Sequence, residues 1–364
     1  MGRLPRFIPD NEDGVLVEIT SRVIGARAML VPSPAPQRLN EVVVGVLGRA
    51  LDVAPLELCS TVWLANHVHC LVVVRDQQQL SRFMHHLGCN ISKEIGGRLR
   101  SWRGAFWEGR YTSIVVSDEP EAQWRRLKYH LSQGVKEGLV RSPFQWPGVH
   151  AAWPLVHGEP LEGYWFDRSK EWSARNRGLN LGRYDFATRY RVGFAPLPAF
   201  RHLTPEEYRS EVAELICEIE AEEEEHRGGA PVAGVEKILS QNPYEAPTRQ
   251  TKRSSKPPFH VASKSARMHL ASELSAFLEE YWPASQALRS GNLKAAGWFP
   301  EGCYPPALAF TSGMPPRKPP LPPTRRLDVL DSGEIARGEI SVVEVPLTFD
   351  TASQVVPRSR GQPP

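Results

Sequence analysis

TVWLANHVHCLVVV, Thr61 to Val74, carries the clearest pattern in the chain, and at its centre stand His67, Val68 and His69. In an extended strand alternate side chains share a face, so both imidazoles project one way while Val68 enters the core. The Val-rich run from Cys70 to Val74 suits a central strand covered on both faces. Alone, such a pair is weak evidence for a metal site, and two satisfied histidines at the end of a buried strand is the more ordinary reading.

A second pattern follows about sixty residues on, in LKYHLSQGVKEGLV. Trp124, Leu127 and Leu131 have helical spacing, and Tyr129 and Gln133, four apart, are expected on one helix face. Two imidazoles from a strand, with a phenol and an amide oxygen from a helix, are the parts for metal-assisted attack by tyrosine on a phosphodiester. An isolated YxxxQ would otherwise be a packed helix tyrosine.

NHVHCLVVV, the arginine-containing FWEGRYTSIVV and YHLSQ leading to GLV resemble, in order and separation, the HUH-type single-tyrosine transposases, in particular the REP-associated group. The resemblance spans roughly Val15 to Trp146. It implies that His67 and His69 bind a metal, that Tyr129 is the nucleophile, and that Gln133 is the third ligand, where members carry Gln or Asn. It further implies Mg²⁺ or Mn²⁺, a 5′-phosphotyrosine intermediate in single-strand DNA cleavage and strand transfer, a single-stranded or hairpin DNA partner, and a homodimer. The chain departs from the family at Leu64 and Ala65, where Met and Pro are usual, and in QGVKEGLV, where relatives often read NPVRAGLV. A domesticated DNA-binding protein that keeps the fold without transposing is the alternative. A metal-dependent hydrolase is disfavoured, because no HxHxDH follows.

The 364 residues include 44 basic and 41 acidic side chains, a net charge of +3, so total charge identifies no partner. Distribution says more: Leu80 to Arg141 holds eleven Lys or Arg against six Asp or Glu, whereas Glu206 to Glu225 is strongly acidic. Arg82, Lys93, Arg98, Arg100, Arg103 and Arg110, interleaved with Trp102, Phe106 and Trp107, suit single-stranded DNA, where cations track phosphates and rings stack on bases. The competing reading is a solvated basic surface with core tryptophans. Arg110 is expected near the catalytic surface, holding a phosphate oxygen. Five scattered cysteines, with no CxxC, indicate neither structural zinc nor a disulfide framework. No signal-like or membrane-spanning apolar run occurs, so a cytoplasmic protein of bacterial type is expected, nucleoid-associated when bound to DNA.

In order, Val15, Val17 and Ile19 mark a first strand, Leu39 to Leu51 a helix ended by Pro55, and Leu56 to Leu64 a strand turned at Asn66 into the histidine strand. A helix from about Gln78 to Gly96, a strand in RYTSIVV and the tyrosine helix complete the set. The fold class is α+β, a ferredoxin-like antiparallel sheet with helices packed on it, the HUH endonuclease palm. Asp118 and Glu121 are expected to form a capping box, with Pro120 in the first turn. FQWPGVHAAWPLVHGEPLEGYWF reads as a covering loop stapled by Trp146, Trp153 and Trp165, with His150 and His157 as ordinary loop histidines. The catalytic domain is assigned to residues 1–170, a linker to 171–203, and a helical accessory region to 204–300. The latter has helices starting at Thr204 and spanning about Ala266 to Ala287, around the basic linker Arg249 to Lys256. Residues 301–364 form a Pro-rich tail expected to be disordered.

Overall fold

The computed structural model describes residues 5–32, 39–99, 101–247 and 257–303, together with a strand at 342–345. Arg100, the basic linker and most of the Pro-rich tail lie outside the described residues. The first half is strand, helix, strand, strand, helix, strand: β1 (Val15–Arg22), α1 (Leu39–Val53), β2 (Glu57–Trp63), β3 (His67–Val74), α2 (Gln77–Arg98) and β4 (Thr112–Val116). The four strands lie antiparallel in the order β2-β3-β1-β4, the ferredoxin-like arrangement. Ala65 and Asn66 make the two-residue turn between β2 and β3, closed by the Leu64 amide donating to the His67 carbonyl at 2.9 Å. The β1–β3 register sets Thr20 opposite His69 and Arg22 opposite His67. Both faces of these central strands are covered: Val17, Ile19, Val68, Leu71 and Val72 are all buried.

The tyrosine helix, α3 (Pro120–Leu131), crosses the histidine face of the sheet, with Leu127 and Leu131 buried beneath it. Its start and end differ from expectation. The N-cap is Glu119, which accepts no capping bond from the helix; its carboxylate is occupied by the Ser117 hydroxyl at 2.7 Å. Asp118 and Glu121 therefore form no capping box. At the far end Ser132 is the C-cap, so Gln133 stands just past the helix, and Gly134, at φ 87°, turns the chain away.

The stretch read as a loop and linker contains regular structure. Trp146 is indeed a staple, its indole donating to the Trp63 carbonyl at 2.9 Å, and α4 (Ala152–His157) follows. Trp153, in contrast, is half exposed and stacks on His157 rather than on the core. β5 (Leu161–Phe166), α5 (Arg168–Asn176) and β6 (Ala187–Val192) form an antiparallel hairpin with a helical insert, straddling the expected boundary at 170. The hairpin lies flat on α1. A Cβ at Gly45 would collide with the backbone of Tyr164 and Trp165, one at Gly48 with Tyr190, and one at Gly163 with the Glu41 carbonyl. With the rest of the domain on its other side, α1 is buried nearly all round, which is why Val42, Val43, Val44 and Val46 are tolerated there.

The accessory region opens with α6 (Pro205–Arg227) at the expected Thr204, which forms a reciprocal cap with Glu207. α6 packs along α3, with Lys128 Nζ 2.8 Å from both Glu218 and Glu222. α7 (Val235–Leu239) follows. Then β7 (Phe259–His260) joins the main sheet as a fifth strand, parallel to β4, and leads into α8 (Lys264–Arg289). The region is thus not purely helical. Within the tail expected to be disordered, β8 (Val342–Val345) is a strand parallel to β6, where the β-branched run VVEV meets an open sheet edge.

Candidate active site

β3 sends His67 and His69 to the same face, with ring centroids 4.9 Å apart, and Val68 to the other. Each ring is held by one nitrogen. His67 Nδ1 lies 2.6 Å from Asn66 Oδ1; His69 Nδ1 lies 3.3 Å from Thr20 Oγ1 and 3.5 Å from Glu18 Oε1. His69 Nε2 is buried with no hydrogen-bond partner. A ring clamped at one nitrogen and unpartnered at the other is able to offer a lone pair to a ligand; His130 and His150 likewise have an unpartnered buried nitrogen. Burial, followed by the neighbouring His69, Arg22 and Lys136, pushes the His67 pKa well below the ordinary value, so the ring is a neutral donor.

Tyr129 comes to this pair. Its ring centroid is 5.7 Å from that of His69, and the Gln133 amide is close enough to both the His67 ring and the Tyr129 phenol to bear on their protonation. Gln133 Nε2 also donates to the Tyr129 carbonyl at 3.0 Å, a local bond that aims its side chain although the helix has ended. Burial and then the charge of Glu18 raise the phenol pKa, opposed by Gln133 and Arg126. Two cations flank the ring: Lys136 Nζ at 3.4 Å and Arg126 Cζ at 4.5 Å from its centroid.

Behind the pair lies a hub that sequence reasoning missed. Glu18, 4 % exposed, faces His260 Nε2 at 2.6 Å, Arg126 Nη1 at 3.3 Å, His130 Nε2 at 3.4 Å and His69 Nδ1 at 3.5 Å. Burial alone would raise its pKa. The hydrogen bonds from the three imidazoles outweigh that and hold the carboxyl well below the usual range, so it is an ionised acceptor. Two donor sets therefore share His69. One is His67, His69 and Gln133; the other is Glu18, His69 and His130, whose ligand atoms all lie within 4.8 Å of one another.

The basic residues are less concentrated. Arg82, Lys93, Arg103 and Arg110 are exposed. Arg98 is half-buried, its pKa lowered by burial and then by Arg183. Part of α2 is covered by the hairpin insert, where Arg168 and Arg183 converge on buried Glu94 at 2.5 and 2.6 Å. The charge of Arg110 bears on Arg6 and Tyr281.

Residues 37–127 match the family model described as IS200-like transposase. Over that segment, about a quarter of the chain, the protein is similar to the IS200-like transposases. The match includes His67 and His69 and stops two residues short of Tyr129. Among solved structures, a REP-associated tyrosine transposase bound to a REP hairpin is similar at 16 % identity, over 43 % of this chain and 87 % of that one, with a TM-score of 0.36. A putative transposase from Deinococcus radiodurans R1 is similar at 16 % identity, over 35 % of this chain and 95 % of the other, with a TM-score of 0.25. No curated protein matches the chain. No helix among the described residues is long and apolar enough to cross a membrane.

Of the side chains that surround the pair, Glu18 and His130 left a trace in the sequence: an acid at an inward position of β1, and a histidine beside Tyr129. Arg126 and Lys136 carry no comparable signal, and His260 lies in a segment with no periodicity at all.

Proposed function

We propose that this chain is a metal-dependent DNA strand-transfer enzyme, in which Tyr129 attacks a phosphodiester of single-stranded DNA and forms a 5′-phosphotyrosine link. The observation that carries the reading is that the Tyr129 ring comes within 5.7 Å of the His69 ring, centroid to centroid, with Gln133 tied to the Tyr129 carbonyl, while His69 keeps Nε2 buried and without a hydrogen-bond partner. His67 Nε2, His69 Nε2 and the Gln133 amide oxygen are the proposed ligands of Mg²⁺ or Mn²⁺. Glu18 is better assigned behind them than among them, because four donors already converge on its two oxygens. A bound divalent ion would polarise the scissile phosphate and favour the phenolate.

The chain's own groups supply the remainder. With its pKa raised, Tyr129 is protonated at neutral pH, and Arg126 and Lys136 stand where they stabilise the phenolate as its proton leaves. The phenolate oxygen bonds to phosphorus as the bond from phosphorus to the 3′ oxygen breaks, and that oxygen takes up a proton to become a 3′-hydroxyl. The phosphotyrosine keeps the bond energy, so rejoining to another 3′-hydroxyl reverses the same step. Arg82, Lys93, Arg98, Arg100, Arg103 and Arg110 are proposed to track the DNA backbone, giving salt-sensitive binding.

The test is incubation with a labelled hairpin bearing a single-stranded arm and Mg²⁺, followed by denaturing electrophoresis. A covalent adduct is expected with the wild type and none with Tyr129→Phe or with His67→Ala combined with His69→Ala, while DNA binding persists in both variants. Salt-sensitive binding without any wild-type adduct would leave a DNA-binding protein that keeps the fold. An adduct undiminished in the double-histidine variant would remove the metal assignment.

A further inference from the structure

The segment that follows the basic linker returns to the catalytic sheet. β7 pairs with β4 with Phe259 beside Val115 and His260 beside Val116; the Ser117 amide donates to the His260 carbonyl at 2.9 Å, and the Ala262 amide to Glu119 Oε2 at 2.7 Å. Phe259 is buried, edge-on to Phe7 at 6.2 Å. The backbone of His260 is therefore fixed, and its ring makes the shortest of the four contacts to Glu18.

Glu18 is an ionised, acceptor-only group, so each imidazole nitrogen facing it must carry a hydrogen. For His69 that nitrogen is Nδ1, which leaves the Nε2 lone pair for a ligand. His260 Nε2 likewise donates to Glu18 Oε2. Its 3.3 Å approach to Arg126 Nη1 is then two donors sharing one carboxylate oxygen rather than a bond between them. Without His260, Oε2 keeps only Arg126, at 3.3 Å, among the described residues, and the carboxylate plane that sets the His69 tautomer loses its closest restraint.

Resting on the metal-site reading above, we propose that His260 is a positioning residue of the active site, acting through Glu18 to hold His69 in the Nδ1–H tautomer. His260 lies far outside the segment matched as the transposase domain, so the accessory part of the chain completes the site.

The experiment uses the full chain and Mn²⁺ binding, followed by the resonance of the free ion, together with ¹⁵N NMR of the His69 tautomer. His260→Phe is expected to weaken Mn²⁺ binding about 10-fold or more, and to let His69 sample the Nε2–H form. His260→Gln, whose amide can donate to Glu18, is expected to restore most of the affinity. His269→Gln, on an exposed position of α8 away from Glu18, is expected to change neither readout. A His260→Phe variant with wild-type Mn²⁺ affinity and an unchanged His69 tautomer overturns the inference, even if its melting temperature falls, because His260 would then be only structural. Mn²⁺ binding that survives His69→Ala would instead overturn the metal-site reading, and this inference with it.

Discussion

Replacing Glu18 by Gln removes one negative charge at the point where four donors converge. A carboxamide accepts through its oxygen alone, so at least some of His260, Arg126, His130 and His69 must face an N–H where they now face a carboxylate oxygen. Arg126 is left without its buried counter-charge, and an imidazole must change tautomer or turn away. Breaking a buried ion pair from one side costs about 3–5 kcal/mol. In a domain of this size that is a fall in melting temperature of roughly 6–20 °C. The same change should move the Tyr129 phenol the other way: Glu18 raises its pKa, so Glu18→Gln lowers it toward the ordinary value. Urea unfolding and calorimetry measure the first effect, and ¹³C-labelled tyrosine followed through a pH titration measures the second. A loss of less than about 1 kcal/mol, the range of an exposed ion pair, would refute the hub. So would a phenol that titrates as in wild type.

Gly45→Val should detach the β5–β6 hairpin from α1, since the side chain has only backbone to meet; a cost of about 1–3 kcal/mol and new proteolytic cleavage between residues 160 and 192 are expected, and protease resistance equal to wild type would contradict the packing. Arg168→Ala leaves Arg183 as the remaining ion-pair partner of buried Glu94, and urea unfolding should show a loss of about 1–3 kcal/mol; no measurable change would mean that this contact is not formed in solution. Acid should destabilise the fold through His150, whose pKa is pushed down to about 3, first by burial and then by His130. The unfolded chain accepts a proton near pH 6.5 that the folded chain refuses. Stability is therefore unaffected above that pH and declines as pH falls toward 3, by up to about 5 kcal/mol. His150→Asn keeps an acceptor for the Ala152 amide, so its stability should depend less steeply on pH than that of the wild type; equal slopes from pH 7 to 4.5 would exclude His150 as a source.

Local pattern carried much of the architecture. The period-two alternation of β1 and β3, the apolar stripe of α2 and the Thr204–Glu207 cap each depend on residues close in sequence, and all were legible there. So was the projection of His67 and His69 from one face, because a strand has no other way to place residues two apart. The hairpin was not legible: LEGYWF and ATRYRV are short, and what makes them strands is the flat surface that Gly45 and Gly48 leave on a helix more than a hundred residues earlier. Gln133 reached Tyr129 despite lying beyond the helix, through a side-chain bond that spacing alone does not require.

The sequence by itself determined the four-stranded palm and the side chains whose chemistry suits a metal and a nucleophile, since backbone periodicity and side-chain type are local properties. Only the tertiary structure decided what holds them. Glu18, Arg126, His130 and His260 come from strands and a helix separated by up to 242 positions, reckoned as 260 minus 18. The sheet register that brings β7 beside β4, and β1 beside β3, is what places those four side chains around one buried carboxylate, because partners across a sheet are chosen by packing, not by distance along the chain.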